Sequence, residues 1–166
     1  MGVDRVEDGL IVEFSIVRVG RNNYTMFDDM VFFRINERER SEQERAETRN
    51  FDRTYEALDN KNLYVFAAQA ADKFVGWISI VYIPKISRAN GKGHLFIDEL
   101  WVSPAFRQKG IANALMAQAD MLSKENVLGL RLYVNRNNEE AISLYQKFGY
   151  EFQFDTALFM EKEWEG

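Results

Sequence analysis

Residues 94–115, HLFIDELWVSPAFRQKGIANAL, join a strand pattern to a helix pattern and decide the fold. The first part, residues 95–102, is dense in apolar, β-branched and aromatic residues, which favours a strand. Apolar residues then recur at helical spacing from Ile111 to Leu122. Between the two patterns lies RQKGIA, residues 107–112, where we expect the helix to begin.

The start of this helix has the chemistry of an anion site. A helix start presents unpaired backbone N–H groups and the positive end of the peptide dipoles. Small residues, Gly110 and Ala112, let an anion approach that backbone, and Arg107, Gln108 and Lys109 stand beside it. Two interpretations are open on these residues alone: a cradle for a pyrophosphate, or a tight turn followed by a solvated helix start.

The wider pattern around this loop resembles a known family. The order V-x-P-x-x-R-x-x-G-I-A-x-x-L, residues 102–115, resembles the acetyl-coenzyme A loop of the GNAT superfamily of N-acetyltransferases. A second block, N-x-x-A-x-x-L-Y-x-K-x-G-Y over residues 138–150, resembles the C-terminal motif of the same superfamily. The resemblance covers residues 94–150, and the first half of the chain carries no comparable signature.

The resemblance implies an α/β fold and a reaction. GNAT proteins have a mixed, mostly antiparallel central sheet flanked by helices, and coenzyme A enters between two splayed strands. They transfer acetyl from acetyl-CoA directly to an amine, which requires no enzyme nucleophile, and we predict no metal. The residues that the resemblance assigns to coenzyme A are Leu100, Trp101, Val102, Arg107, Gln108, Lys109, Gly110, Ile111, Ala112, Asn113 and Asn138.

Tyr145 coincides with the tyrosine that serves the family as general acid. Its phenol could give a proton to the departing sulfur, as acid catalysis of thiolate release requires. Ala141, Leu144 and Phe148 share its helix face, so the other interpretation of Tyr145 is a core residue. Asn138 equally has two interpretations, since an asparagine at a helix start caps the helix and could also bond the pantetheine amides.

Asp98 and Glu99 are acidic residues inside an otherwise apolar strand. Burying a carboxylate costs free energy unless it is exposed or employed, so the pair is a candidate for substrate binding and proton removal. Some GNAT enzymes that act on polyamines and aminoglycosides carry a similar acidic pair here. Because successive strand residues face opposite ways, we expect only one of the two to face the acceptor. The alternative is an exposed pair that contributes only solubility.

Composition narrows the class of protein. The chain has 166 residues, 46% hydrophobic and 28% charged, with two prolines and no low-complexity run, which predicts a single domain over residues 1–166. It contains no cysteine, and this absence excludes disulfides, thiolate nucleophiles and cysteine-based zinc sites. It contains one histidine, His94. The net charge of −5 argues against nucleic acid and suits a cationic substrate. No segment has the pattern of a membrane span or signal peptide, so we expect a cytoplasmic protein.

The remaining segments predict the order of the elements. Patterning and turn residues place the strands and helices along the chain. The expected elements are a strand at 10–19, a helix around 27–35, a charge-laced helical stretch at 41–60, a hairpin of 63–71 and 74–83, a strand at 129–134, a helix capped by Asn137 or Asn138 that ends before Gly149, and a final strand pair at 150–154 and 158–164.

The favoured function is an acetyl-CoA-dependent N-acetyltransferase acting on a primary amine, a small polyamine-like or aminoglycoside-like cation. Two alternatives stay open. The acceptor could be a protein or peptide amino group, because residues 138–150 also resemble ribosomal-protein acetyltransferases. The chain could instead be a non-catalytic acyl-CoA-binding regulator. A homodimer is frequent in the superfamily and is an expectation of the resemblance alone.

Overall fold

A computed structural model describes residues 12–87, 90–123, 127–153 and 158–164. The chain divides into two units, Met1–Tyr133 and Val134–Gly166. No helix among the described residues is long and apolar enough to cross a membrane.

A five-stranded sheet forms the first unit. Its strands lie in sequence order, and the first four are antiparallel neighbours whereas the last pair is parallel. The predicted mixed, mostly antiparallel sheet is therefore confirmed. The strands are β1 (Ser15–Arg18), β2 (Leu63–Ala70), β3 (Lys73–Ile83), β4 (Gly93–Val102) and β5 (Val127–Leu132).

Helices cover both faces of this sheet. Seven consecutive residues of β3, from Phe74 to Ile80, are buried, although alternate strand residues face opposite ways, so both faces must be covered there. The helices of this first unit are α1 (Tyr24–Asn36), α2 (Glu42–Ala46), α3 (Asp52–Leu58) and α4 (Ile111–Leu122). The second unit contains α5 (Glu139–Lys147).

The core around Trp77 joins α1 and α3 to the sheet. Trp77 is 1% exposed and clusters with Val65 of β2 and Met30 of α1, and Leu58 of α3 packs against this cluster. The helix α4 packs against β2, β3 and β4 and buries Ile111, among other residues. Each buried large apolar side chain contributes about 1.5–3 kcal/mol, so these contacts fix the helices on the sheet.

The predicted charge-laced helical stretch at 41–60 is two short helices. The chain leaves the helical conformation at Glu47, whose φ and ψ are −64° and 137°. Arg49 lies in the gap, and its Nη1 is 2.5 Å from Asp28 Oδ2 and 2.9 Å from Asp29 Oδ1, both on α1. Arg40 contacts the same two aspartates. These ion pairs are a tertiary reason for the break, which helix periodicity could not reveal.

Three further boundaries differ from the sequence prediction. The first strand is shorter than residues 10–19, of which residues up to 11 lie outside the described part. The parallel strand β5 begins two residues before the predicted 129–134. The predicted final strand pair is wrong for residues 150–153 and 158–164, which form no strand, while 154–157 lie outside the described residues. Alternating apolar residues supply only propensity, and a strand also needs a ladder partner.

The two strands β4 and β5 separate partway along their length. Their pairing ends at Ile97 and Leu132, whereas β4 continues to pair with β3 as far as Val102. Residues 98–102 therefore form an open edge on the side of β5. The predicted splayed strand pair is confirmed.

Candidate functional site

The start of α4 offers a run of free backbone donors. Its first main-chain bond runs from the Ala114 N–H to the Gly110 carbonyl, and no side chain caps it. Among the described residues, nothing accepts from the N–H groups of Ile111, Ala112 and Asn113. An α-helix leaves such donors at its start, and they carry the positive end of the helix dipole.

The loop before α4 extends this donor set. Gln108 and Gly110 both have positive φ, 59° and 84°. Successive N–H groups of residues that alternate between right- and left-handed conformations form a concave nest that suits an anion. A Cβ built on Gly110 would meet nothing within 4 Å, so the space beside its backbone is open. The geometry favours the anion cradle over the interpretation as a bare turn.

Arg107 holds this loop against the end of β4. Its Nε donates to the Val102 carbonyl at 3.1 Å. The terminal guanidinium nitrogens of Arg107 have no hydrogen-bond partner within the described ranges. Lys109, two residues further along the chain, is half-buried. Arg107 thus joins loop to strand while its terminal nitrogens stay available to an anion.

Two of the three β4 residues that the family resemblance assigns to coenzyme A present a backbone donor at the open edge of this strand. The Ser103 N–H bonds the Val75 carbonyl at 2.8 Å, and bonded pairs alternate with non-bonded pairs in an antiparallel ladder. The N–H groups of Leu100 and Val102 therefore point away from β3, towards the open edge. Trp101 has the opposite orientation: its N–H is directed at β3, and its ring packs 5.2 Å from the Trp77 ring.

A β-bulge lies at the acidic pair. Ser79 pairs with Glu99 and Ile80 pairs with Ile97, so Asp98 has no partner residue on β3. A bulge places two residues of one strand opposite one of its neighbour and interrupts the in-and-out alternation. Both Asp98 and Glu99 line one cavity as a result. The expectation that only one of them faces the cleft rested on unbroken alternation, which does not hold here.

This cavity, which we call the carboxylate cavity, has a volume of about 230 Å³. It lies between α1, α3 and strands β2 to β4, and its wall is otherwise mostly apolar or aromatic. The lining residues are Val19, Tyr24, Phe27, Thr54, Ala57, Leu58, Leu63, Val65, Trp77, Ser79, Asp98 and Glu99.

The two carboxylates of the cavity have different electrostatic surroundings. Glu99 Oε1 lies 3.5 Å from Nη1 of Arg34, a residue of α1. The Arg34 guanidinium also lies 5.0 Å above the Trp77 ring. Asp98 is exposed and has no cationic partner in the described part of the chain. Asp98 is therefore the carboxylate that a bound cation would find unneutralised.

Sequence reasoning missed the two lining residues Trp77 and Ser79, and it missed Arg34, which contacts Glu99. Arg34 lies 65 positions from the residue that it contacts. Trp77 and Ser79 belong to a mostly apolar strand. The sequence pattern of such a strand does not distinguish a residue that lines a cavity from one that packs in the core. Only the pairing of β3 with β4 brings Ser79 opposite Glu99.

The second unit holds the remaining two candidates, Asn138 and Tyr145. The Asn138 side chain accepts from the Ala141 N–H at 3.1 Å, so its interpretation as a helix cap is confirmed. Its amide nitrogen is not used by this cap. The Tyr145 ring lies 6.0 Å from the Tyr150 ring. Burial raises the pKa of the Tyr145 phenol above its ordinary value of 10.0, so the phenol keeps its proton at neutral pH.

Comparison with known proteins finds acetyltransferases. Mycothiol acetyltransferase of Renibacterium salmoninarum is 33% identical over 93 residues, which are 52% of this chain and 25% of that protein. Spermidine N(1)-acetyltransferase of Thermoplasma acidophilum is 31% identical over 110 residues, which are 64% of this chain and 63% of that protein. The matched part thus spans less than two thirds of each of these two relatives.

A solved structure shares the fold. An aminoglycoside acetyltransferase from an uncultured soil metagenomic sample superposes with a TM-score of 0.73 at 18% identity, over 92% of this chain and 99% of that chain. The family model described as the Acetyltransferase (GNAT) family matches residues 28–150, which is more than half of the chain. The chain therefore belongs to the GNAT acetyltransferase family.

Proposed function

We propose that this chain acetylates a small cationic primary amine with acetyl-CoA as donor. The observation that carries the proposal is Asp98, a carboxylate without a cationic partner in a cavity beside the open edge of β4. The relative named for spermidine acetylation and the solved aminoglycoside acetyltransferase support an amine of this class. Residues 1–166 act in this proposal as one N-acetyltransferase domain; a cytoplasmic location and a homodimer stay predictions.

Acetyl-CoA would be held by its phosphates and its pantetheine arm. The nest and helix start from Gln108 to Asn113 would bind the pyrophosphate, with Arg107 and Lys109 supplying positive charge. The N–H groups of Leu100 and Val102 would bond the arm and polarise the thioester carbonyl. The free amide nitrogen of Asn138 would donate to the arm as well.

The reaction is a direct acyl transfer. The lone pair of the neutral amine attacks the thioester carbonyl carbon, so that a C–N bond forms and the C–S bond breaks. Before the attack the substrate ammonium gives one proton to water near Asp98 and Glu99. After the attack the nitrogen gives a second proton to solvent, and the departing thiolate takes a proton from the Tyr145 phenol. Tyr145 is then reprotonated from solvent, and the products are an acetamide and coenzyme A.

Neutralising the two carboxylates should give unequal losses. Asp98→Asn removes the unneutralised charge, and a hydrogen bond to a charged group contributes roughly 1.5–3 kcal/mol, so kcat/KM for the amine should fall about 10- to 100-fold. Glu99→Gln removes a charge that Arg34 already offsets, and an exposed ion pair contributes only about 0–1 kcal/mol, so its loss should stay within about fivefold. Steady-state kinetics with a thiol-release assay measures both.

Acetyl-CoA affinity is the control for these two variants, since neither carboxylate contacts the proposed phosphate site. The parental kcat/KM should also decline with added salt, because mobile ions screen the attraction beyond about 10 Å at 0.1 M. Parental kinetics in both variants on every active amine, with no salt effect, would contradict the cationic acceptor.

The thiol-release assay with a panel of polyamines, aminoglycosides and peptides tests the proposed function itself. Turnover of a peptide amino group alone would favour the protein-acetylating alternative. Tight acetyl-CoA binding without turnover of any acceptor would favour the non-catalytic regulator.

A further inference from the structure

Two buried polar atoms on residues of the carboxylate cavity have no hydrogen-bond partner among the described residues. They are Nε1 of Trp77 and Oγ of Ser79. Their residues are 1% and 9% exposed. Buried polar groups in proteins almost always have a partner, and each one left without costs about 1–3 kcal/mol. The residues that carry these two atoms line one small cavity, so the two atoms are candidate partners for a polar group of a ligand bound there.

The protein itself offers Trp77 no acceptor. Phe27 and Trp101 pack against its ring, with centroids 5.4 and 5.2 Å away, and the Arg34 guanidinium lies above it. None of these neighbouring side chains carries an acceptor. An indole N–H is a donor only, so its partner has to be an oxygen or another acceptor.

Ser79 lies on β3 at the point where the bulge shifts the register between β3 and β4. It pairs with Glu99 on β4, next to the unpaired Asp98. Its hydroxyl can both donate and accept. One small cavity therefore brings together an unneutralised carboxylate, an obligatory donor and a hydroxyl.

We propose that Trp77 and Ser79 are specificity-determining residues that bind an oxygen of the acceptor, so that the preferred substrate is a primary amine that also carries a hydroxyl or ether oxygen. The inference rests on the proposed function and deepens it. Asp98 binds the ammonium group, and the Trp77 Nε1–H donates to the substrate oxygen. The Ser79 hydroxyl adds a second bond to the same group.

Simple amines and polyamines fit these atoms less well. An alkylamine has no acceptor for the indole N–H, and the second ammonium of a polyamine is again a donor only. Either ligand would leave the Trp77 N–H unpaired. A site built to bond a substrate hydroxyl rejects the analogue that lacks it, whereas a hydrophobic pocket discriminates far less. The cavity of about 230 Å³ is also below the roughly 300–1,000 Å³ of sites for drug-sized ligands, which favours a compact acceptor.

Matched acceptors test this inference. Ethanolamine is compared with ethylamine and ethylenediamine, and glucosamine with cyclohexylamine, in both kcat/KM and calorimetric Kd. The oxygen-bearing member of each set should be preferred by on the order of tenfold or more. Trp77→Phe keeps an aromatic ring and removes the donor, so it should lower kcat/KM for ethanolamine by a larger factor than kcat/KM for ethylamine.

Ser79→Ala is the second variant, because it removes the hydroxyl with little change in volume and keeps the test usable if Trp77→Phe destabilises the fold. Thermal unfolding and acetyl-CoA affinity are measured on both variants. A larger loss for the oxygen-bearing member of each pair than for its partner supports the inference. Equal kcat/KM and Kd for the matched amines, or equal losses for both members of a pair in both variants, would overturn it.

The same experiment separates this inference from the proposed function. Acetylation of ethylamine and ethylenediamine as readily as ethanolamine would support the amine acetyltransferase and reject the oxygen preference. If no amine is acetylated, the proposed function fails. Calorimetry then still tests the inference: the cavity binds such a ligand if the Kd is lower for the oxygen-bearing amine and if Trp77→Phe removes this difference.

Discussion

Replacing Gly110 with glutamate is expected to abolish acetyl-CoA binding, with the Kd raised by more than about 100-fold. The glycine has a φ of 84° and open space beside it, in front of the free N–H groups of α4. A glutamate carboxylate would accept from those donors and occupy the place of the pyrophosphate. Like charges brought together in a binding site cost several kcal/mol, which supplies the predicted factor. Isothermal calorimetry with acetyl-CoA measures the change directly.

Gly91→Glu is a matched control for this variant. Gly91 also has a positive φ, 66°, and a Cβ there would meet nothing within 4 Å. The two substitutions therefore impose the same kind of backbone strain and the same new charge, but Gly91 precedes β4, at the opposite end of the strand from the loop. Thermal stability should fall by similar amounts in the two variants, and only Gly110→Glu should lose the coenzyme. Parental acetyl-CoA affinity in Gly110→Glu would show that the cradle is assigned wrongly.

Tyr145→Phe is expected to reduce kcat by a factor of about 10²–10⁴, which is the usual contribution of a general acid. The substitution keeps the ring and its packing against Tyr150 and removes only the hydroxyl proton. Because burial raises the pKa of the Tyr145 phenol above 10.0, the donor form prevails at neutral pH and is lost only as the pH rises through that higher pKa. In the parent, kcat should therefore fall at strongly alkaline pH, and this alkaline limb should disappear in the variant.

Tyr150→Phe provides the comparison, since it removes a hydroxyl from the neighbouring ring without touching the proposed donor. It should change stability more than kcat. Acetyl-CoA affinity should stay parental in both tyrosine variants. A kcat of Tyr145→Phe within twofold of the parent, or a loss that appears only as a lower unfolding temperature, would leave Tyr145 as a core residue.

Local signals in the sequence predicted where α4 begins and where α5 begins and ends. The loop with Gly110 precedes a helix that begins at Ile111, and Asn138 caps α5, with Gly149 in a left-handed conformation just past its end. Caps, turn residues and helix periodicity act over a few neighbouring residues, so a sequence window contains the whole cause. The same signals wrongly predicted one helical stretch at residues 41–60. There the helix is interrupted between α2 and α3, and Arg49 in this gap forms ion pairs with Asp28 and Asp29 of α1.

The acidic pair shows where local reasoning stops. Asp98 and Glu99 stood out as carboxylates in an apolar strand, but alternation along that strand predicted opposite directions for them. The bulge that changes this is a property of the pairing between β3 and β4, because it arises from which residue of one strand lies opposite which residue of the other. No pattern in residues 94–102 contains that information.

The sequence by itself determined the family and predicted an anion site at the start of α4 and a proton donor at Tyr145, because each rests on contiguous residues whose chemistry is local. Only the tertiary structure decided how the two carboxylates differ and what surrounds them. Arg34 of α1 neutralises Glu99 across 65 positions, and strand register sets Ser79 beside the bulge, while Asp98 is left without a cation. Contacts of this kind depend on packing between distant segments, which is settled by the burial of the whole core rather than by any one stretch of the chain.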